Sequence, residues 1–285
     1  MTVHVPIDVE GAVAARVSDP DAMLLAGGTD LMVEVNFGHR KPRSIIRLDE
    51  VDELTQISID ETSVEIGAMV THAELCEEPF ISLVPALAMA ARTVGSPQIR
   101  NAGTIGGNVA TSSPAGDTLP VLLALEATVV LVGTNGERRV PIADFFTGPK
   151  RNVMASDEII RSLDVPIVLG AQEFVKVGTR NAMVIAVANL ALVVDSRSRR
   201  LRCALGSVGP TPLRATDAER WADAYIERVG FGDPSAEAAQ EFGALVGAAA
   251  RPIDDQRSTA DYRRHAVKVC AARVFRRAMR ETRGS

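Results

Sequence analysis

The chain has 285 residues, of which 46% are hydrophobic and 24% are charged. This composition predicts a soluble globular protein with one large domain or two to three smaller ones. The formal net charge of −5 argues against nucleic acid as the main partner. Aromatic residues, at 4%, are too scarce for the stacking platforms that bind single-stranded nucleic acid.

The three cysteines, Cys76, Cys203 and Cys270, lie far apart and form no CxxC pair. They are too few to ligate an iron–sulfur cluster or a structural zinc on this chain, and reduced thiols in a reducing compartment are expected. The first residues lack a basic segment followed by an apolar one, and the most apolar run, Ala182–Val194, is too short to span a bilayer. The sequence predicts a cytoplasmic protein without a membrane segment.

The N-terminal part, up to about Leu48, predicts a short helix, the strand Met23–Leu25, the turn Ala26–Leu31 and the strand Ser44–Leu48. Between Val51 and Pro166, alternation and capping patterns predict further elements. These are the hairpin strands Thr55–Asp60 and Ser63–Ala68, a short helix opened by Thr71 and Glu74, the helix Val84–Thr93, a long loop Val94–Pro120, and the strands Thr128–Gly133, Arg138–Pro141 and Glu158–Val165.

A linker is predicted at Val165–Ala171, where Pro166 and Gly170 interrupt regular structure. After it come the predicted strands Glu173–Val177, Val184–Asp195 and Arg200–Val208, and then helices over most of Ala215–Arg283. The last of them, Ser258–Arg283, is amphipathic with a basic face that is either solvated or in contact with an acidic partner. Because strands and helices do not alternate regularly, the sequence favours an α+β fold over a doubly wound sheet.

Two glycine-rich stretches stand out. The first glycine turn, Ala26–Leu31 (AGGTDL), places Gly27 and Gly28 directly after an apolar strand, with Thr29 and Asp30 behind them. Paired glycines let consecutive N–H groups converge on an anion, and Thr29 adds a hydroxyl donor. The alternative is a tight turn that only joins two elements.

The second glycine stretch, Ile99–Pro120, contains Gly103, Gly106 and Gly107 among threonine, serine and asparagine residues. Its hydroxyls, amides and bare backbone suit a diphosphate, and Asp117 is a candidate to accept hydrogen bonds from a ribose. The alternative is an Ω-loop packed on itself. No GxxxxGK[ST] is present, nor a GxGxxG that opens a helix in a βαβ unit, so neither a P-loop nor a Rossmann site is expected.

These two stretches resemble the FAD-binding subunit of the molybdenum hydroxylases, the family of the carbon monoxide dehydrogenase medium subunit and the xanthine dehydrogenase flavin domain. The similarity extends through LLALEATVVL, VPIADFFTGP, SDEIIRSLDVP, FVKVGTRNA and ALGSVGPTPLRA to the end of the chain, in the family's order. It implies a PCMH-type, vanillyl-alcohol-oxidase-like FAD-binding domain over 1–168, with two α/β subdomains of about 1–50 and 51–168. A small α+β C-terminal domain over 172–285 follows.

The resemblance also implies the cofactor-binding residues. The pyrophosphate and the adjacent ribityl oxygens would be held by Leu24, Leu25, Ala26, Gly27, Gly28, Thr29, Asp30, Leu31, Gly103, Thr104, Ile105, Gly106, Gly107 and Asn108. Asp117 would bind the adenosine end of FAD, Ile160 would pack near the cofactor, and Lys176 would lie near the isoalloxazine. A lysine there would favour the negative charge of a reduced flavin.

The implied function is electron transfer within a complex. FAD on this chain would accept electrons from [2Fe–2S] clusters of a small partner subunit and pass them to NAD⁺, oxygen or another acceptor. A large partner subunit would carry the molybdopterin cofactor and oxidise the substrate. Two alternatives remain open at this point: a stand-alone FAD-dependent oxidoreductase, and a non-catalytic nucleotide-binding module. Neither the substrate nor the final acceptor follows from the sequence.

Overall fold

The computed structural model describes residues 1–282 and contains both strands and helices throughout. The strands in chain order are β1 (Thr2–His4), β2 (Met23–Leu25), β3 (Ser44–Arg47), β4 (Ile57–Ile59), β5 (Ser63–Gly67), β6 (Thr128–Gly133), β7 (Gly136–Pro141), β8 (Phe146–Gly148), β9 (Arg151–Asn152), β10 (Ile159–Pro166), β11 (Gln172–Val177), β12 (Ala188–Asp195), β13 (Arg200–Gly206) and β14 (Leu213–Arg214).

The helices are mostly short in the first half of the chain and long at its end. They are α1 (Val9–Ser18), α2 (Leu31–Asn36), α3 (Phe80–Leu83), α4 (Pro85–Arg92), α5 (Pro97–Ala102), α6 (Ile105–Thr111), α7 (Thr118–Ala124), α8 (Ile142–Phe145), α9 (Thr216–Val229), α10 (Ala236–Ala249) and α11 (Ala260–Thr282). Single 3₁₀ turns lie at Asp52–Thr55 and Glu74–Cys76. The predicted α+β class is confirmed.

The first compact unit consists of 1–74, 96–112 and 126–166. It contains a small parallel sheet in the order β1-β3-β2 and an antiparallel sheet in the order β4-β5-β10-β6-β7. Alternating Val64 and Ile66 on β5 are fully buried, as the period-two pattern of a half-buried strand predicts. The parallel sheet ends where β2 leads into the first glycine turn.

The second compact unit consists of 75–95, 113–125 and 167–285, of which the structure describes the residues up to 282. Its antiparallel sheet has the order β11-β12-β13-β14, and α9, α10 and α11 supply much of its core. The stacked rings of Phe242 and Phe275 lie 4.5 Å apart, and Trp221 packs against both. Aromatic pairs of this kind contribute beyond the area they bury.

Two predictions about local structure are wrong. The stretch Val94–Pro120 is not a loop, because it holds α5, α6 and the start of α7. Ser96 and Thr104 cap α5 and α6 with their hydroxyls, and these local signals were hidden among glycines that otherwise disfavour helix. The predicted strand Val184–Asp195 begins only at Ala188. In the C-terminal helix, Arg283 lies outside the described residues.

Between residues 1 and 282, none of the helices combines the length and the apolar character needed to cross a membrane.

Candidate functional site

The first glycine turn offers a row of free backbone donors. It connects β2 to α2, and Gly28 has a φ of +70°, which a glycine adopts without strain. Within residues 1–282, the N–H groups from Gly27 to Leu31 donate to no protein acceptor. Free donors at the start of a helix attract an anion. This turn therefore presents the bare N–H groups that a diphosphate requires.

The second glycine stretch uses its backbone donors differently. The N–H groups of Ile105 and Gly106 donate to the carbonyl oxygens of Val70 and Ala68, both at 2.9 Å. Those of Gly107 and Asn108 donate to the side chain and the carbonyl of Thr104. These backbone N–H groups are therefore already hydrogen-bonded within the protein. What this stretch offers a ligand is the Thr104 hydroxyl proton.

The two stretches pack against each other through their glycines. A Cβ on Gly27 would lie 1.5 Å from the carbonyl oxygen of Ala102, a separation that no side chain tolerates. A Cβ on Gly103 would lie 3.2 Å from Thr29 Oγ1, and one on Gly107 would lie 3.7 Å from the Cβ of Ala26. The glycines thus let the free donors of the first turn lie beside Thr104.

This arrangement fits FAD. A diphosphate needs several donors at a surface without obstructing side chains, and the two stretches supply N–H groups, hydroxyls and glycines there. The assignment of individual residues from Leu24 to Asn108 to FAD stays a prediction. Ile160 is buried on β10 in the antiparallel sheet, and its contact with the cofactor likewise stays a prediction.

Two nearby residues escaped the sequence analysis. Lys150 Nζ lies 2.5 Å from Glu34 Oε1 and 3.7 Å from Asp30 Oδ2, so it offsets acidic charge beside the first glycine turn. The His72 side chain is buried at 3% exposure, and the backbone N–H of His72 donates to the Gly103 carbonyl at 2.9 Å. Burial, with the charge of Arg100, lowers the pKa of His72 to about 4, so its imidazole is neutral. Sequence distance hides Lys150, and a single histidine carries no distinctive pattern.

Asp117 and Lys176 form a buried ion pair in the second compact unit. Lys176 Nζ lies 2.5 Å from Asp117 Oδ2, and the side chains are 8% and 6% exposed. Lys176 also donates to the Thr93 carbonyl at 3.0 Å, and the Thr93 hydroxyl donates to Asp117 Oδ2 at 3.2 Å. Burial raises the pKa of the Asp117 carboxyl, while the Lys176 ammonium acts in the opposite direction.

This pairing corrects one expectation. Adenine and isoalloxazine are the opposite ends of an extended FAD, so two side chains in direct contact cannot each serve a different end. Asp117 and Lys176 therefore cannot serve opposite ends of one FAD, and the contact of either residue with the cofactor stays a prediction. Asn189, which the sequence analysis missed, joins them: its Nδ2 donates to Asp117 Oδ1 at 2.9 Å. An asparagine within an apolar strand pattern was the available signal.

Family comparisons identify both parts of the chain. Residues 1–168 match the family model described as FAD binding domain in molybdopterin dehydrogenase. Residues 173–278 match the CO dehydrogenase flavoprotein C-terminal domain.

Individual relatives agree. The chain is 39% identical over 211 residues to the nicotinate dehydrogenase FAD-subunit of Eubacterium barkeri, covering 70% of this chain and 71% of that one. It is 32% identical over 269 residues to the carbon monoxide dehydrogenase medium chain of Hydrogenophaga pseudoflava, covering 91% and 90%.

Solved structures give the same result. Quinoline 2-oxidoreductase from Pseudomonas putida 86 superposes with a TM-score of 0.89 at 25% identity, covering 98% of this chain and 96% of that one. Carbon monoxide dehydrogenase from Hydrogenophaga pseudoflava superposes with a TM-score of 0.85 at 31% identity, covering 100% and 97%. The chain therefore belongs to the family of FAD-binding medium subunits of the molybdenum hydroxylases, and it is an oxidoreductase subunit whose cofactor is FAD.

Proposed function

We propose that this chain is the electron-transfer subunit of a molybdenum hydroxylase complex. It accepts electrons from [2Fe–2S] clusters of a small partner subunit and passes them to NAD⁺, oxygen or another acceptor. A large partner subunit carries the molybdopterin cofactor and oxidises the substrate. The names of the relatives, which are subunits or medium chains of dehydrogenases, support an assembly of this kind.

The observation that carries the proposal is the row of free N–H groups from Gly27 to Leu31, placed beside Thr104 by glycine-to-backbone contact. These donors bind the diphosphate of FAD and neutralise part of its charge. The Thr104 hydroxyl accepts from the Gly107 N–H, so its own proton remains for a phosphate or ribityl oxygen. The backbone N–H of His72 donates to the Gly103 carbonyl, and the neutral His72 imidazole adds no charge.

Bound FAD supplies the chemistry of two-electron acceptance and stepwise release. Lys176 provides the positive charge that favours the reduced, anionic cofactor. Asp117 holds the ammonium in place and limits that effect, because its carboxylate cancels part of the field. We place both Asp117 and Lys176 near the isoalloxazine and neither of them at the adenosine end.

The cytoplasm is the proposed location. Cys76, Cys203 and Cys270 are free thiols, which fits a reducing compartment. We also propose the domain division of 1–168 for the FAD-binding domain and 172–285 for the C-terminal domain, and the matches of the family models to 1–168 and 173–278 support it.

Co-expression with neighbouring genes, followed by purification and cofactor analysis, tests the proposal. We expect a complex that contains FAD, iron and molybdenum, with a flavin that is reduced when the complex receives its substrate. A colourless chain would favour the nucleotide-binding module. A yellow chain that oxidises a small substrate unaided would favour the stand-alone oxidoreductase.

The glycine stretches allow a sharper test of the FAD site. Gly107 is the third residue of α6, its N–H donates to the Thr104 cap, and its Cβ would lie 2.9 Å from that cap oxygen. Gly11 occupies the same position in α1, with a cap distance of 3.0 Å to Asp8 Oδ1. Gly107→Val and Gly11→Val thus impose the same local strain on different helices.

We expect Gly107→Val to lose most of its FAD. The measurement is the ratio of flavin absorbance at about 450 nm to protein absorbance at about 280 nm. Gly11→Val should keep the wild-type ratio. Equal flavin content in both variants would contradict the assignment of the second glycine stretch to the cofactor.

A further inference from the structure

One buried amide lies next to the Asp117–Lys176 pair. Asn189 on the strand β12 is 1% exposed and stands opposite Lys176 on β11 and Gly206 on β13. Its Nδ2 donates to Asp117 Oδ1, but its Oδ1 has no hydrogen-bond partner among residues 1–282. A buried carbonyl oxygen without a partner costs stability. Packing alone therefore gives no reason for an asparagine here.

Gly206 makes the room that this amide occupies. A Cβ on Gly206 would lie 2.1 Å from Asn189 Oδ1 and 3.1 Å from its Cγ. The backbone of Gly206 lies outside the left-handed region, so any residue could adopt it. Glycine is needed at this position for space and not for conformation. We call this space the Gly206 slot.

The slot determines which way the amide points. With Oδ1 seated over Gly206, Nδ2 faces Asp117 and donates to Oδ1 of the carboxylate. Oδ2 is then left to accept from Lys176 Nζ and from the Thr93 hydroxyl. Each carboxylate oxygen thus has its own donor, and the ammonium is held at one defined place.

We propose that Asn189, seated in the Gly206 slot, is a positioning residue that orients the Asp117 carboxylate and thereby sets how strongly Lys176 favours reduced FAD. The redox part of this inference rests on the proposed function, since it requires Lys176 near the flavin. The orientation part stands on the geometry of the second compact unit.

The expected direction follows from charge. Without the Asn189 amide, the buried Asp117 anion loses a donor and takes up a proton more readily. Lys176 is then less compensated, and the flavin midpoint potential rises because positive charge favours the reduced cofactor. In Asn189→Asp, a second carboxylate faces Asp117, so the potential falls and depends more steeply on pH.

The test is a double-mutant cycle in the full-length chain with bound FAD, using Asn189→Ala, Gly206→Ala and both together. Gly206→Ala alone should lower the ratio of folded to unfolded protein about tenfold to a hundredfold, because its Cβ displaces the amide. Added to Asn189→Ala, it should cost little, since the slot is then empty. Both single variants should raise the flavin potential.

Gln172→Ala is the matched control. Gln172 lies on β11 in the same sheet, is also buried, and its Oε1 also lacks a hydrogen-bond partner among residues 1–282, yet it pairs with Val193 at the other end of the strand. It should lower stability and leave the flavin potential unchanged.

Additive costs of Asn189→Ala and Gly206→Ala would overturn the orientation part. Coupled costs with an unchanged potential would overturn the redox part. A wild-type chain without FAD would instead sink the proposed function, and the cycle measured by unfolding would still decide whether Asn189 sits in the slot.

Discussion

Replacing Lys176 by methionine removes the cation from a buried pair and leaves the Asp117 carboxyl behind. The two charged atoms are 2.5 Å apart and both side chains are less than a tenth exposed, at 8% and 6%. Breaking a buried pair in this way costs about 3–5 kcal/mol, because the remaining charge is uncompensated. The chain offers a matched control in Lys150→Met, since Lys150 is 48% exposed and its pair with Glu34 is worth about 0–1 kcal/mol.

The cost of Lys176→Met should depend on pH. The wild-type Asp117 pKa is already raised by burial, and losing the ammonium raises it further. A raised pKa in the folded state means that the protonated form adds stability at low pH, and that this stability is lost as pH rises through the folded pKa. The stability deficit of Lys176→Met relative to the wild type therefore grows with pH between the folded-state Asp117 pKa of the wild type and that of the variant. It grows by about 1.4 kcal/mol per pH unit in this range and is constant above it.

Urea unfolding at several pH values measures this deficit. Trp221 is the chain's single tryptophan, and it packs on Phe242 and Phe275 in the same compact unit as the pair, so its fluorescence reports on that unit. Adding Asp117→Asn to Lys176→Met should remove the pH dependence. A deficit that is below about 1 kcal/mol, or that is unaffected by the added Asp117→Asn, would refute the reasoning.

Three further outcomes are expected. Gly27→Ala should lower the free energy of unfolding by about 1–3 kcal/mol and lose most of the bound FAD, because its Cβ would overlap a carbonyl oxygen at 1.5 Å. The control Gly136→Ala, where the space is open, should lose about 1 kcal/mol and keep its FAD, so flavin content distinguishes the two variants. Because the pKa of His72 is lowered from 6.5 to about 4, its contribution to stability is complete above pH 6.5 and falls by about 3 kcal/mol towards pH 4. Urea unfolding of His72→Gln checks this, and a loss of stability in acid as steep as that of the wild type would rule it out. Arg263→Met should lower stability by about 3–5 kcal/mol, since this buried guanidinium donates to two carbonyls and a carboxylate, whereas Arg264→Met at the exposed neighbour should change it by no more than about 0.5 kcal/mol. Thermal unfolding that gives the two variants equal losses would count against the buried network.

Local patterns carried much of the prediction. The alternation of apolar residues placed β4 and β5, and the Thr71–Glu74 capping pair forms the reciprocal bonds that its spacing indicates. The glycines of AGGTDL and of the second stretch lie in close packing contacts, and their role in binding FAD stays a prediction. The helices α5 and α6 were missed because their caps compete with glycine and proline signals of the opposite sense.

The site needed more than local patterns. Gly27 and Ala102, or Lys176 and Asp117, are far apart along the chain, and only the packed structure shows which atoms meet. The pairing of the last two also removed the expectation that they serve opposite ends of FAD. Lys150 had no distinctive sequence signal, and the asparagine in the apolar pattern of β12 did not reveal its partner, since both residues depend on partners that the fold brings to them.

The sequence by itself determined the α+β class, the two glycine stretches and the FAD-binding family, because periodicity, backbone freedom and motif order are properties of neighbouring residues. Only the tertiary structure decided that the N–H groups of the first glycine turn donate to no acceptor among residues 1–282, whereas those of the second stretch donate to other parts of the protein. It alone decided that Asp117, Lys176 and Asn189 form one buried cluster. Hydrogen-bond partners and burial are set by residues distant along the chain, and no local pattern encodes them.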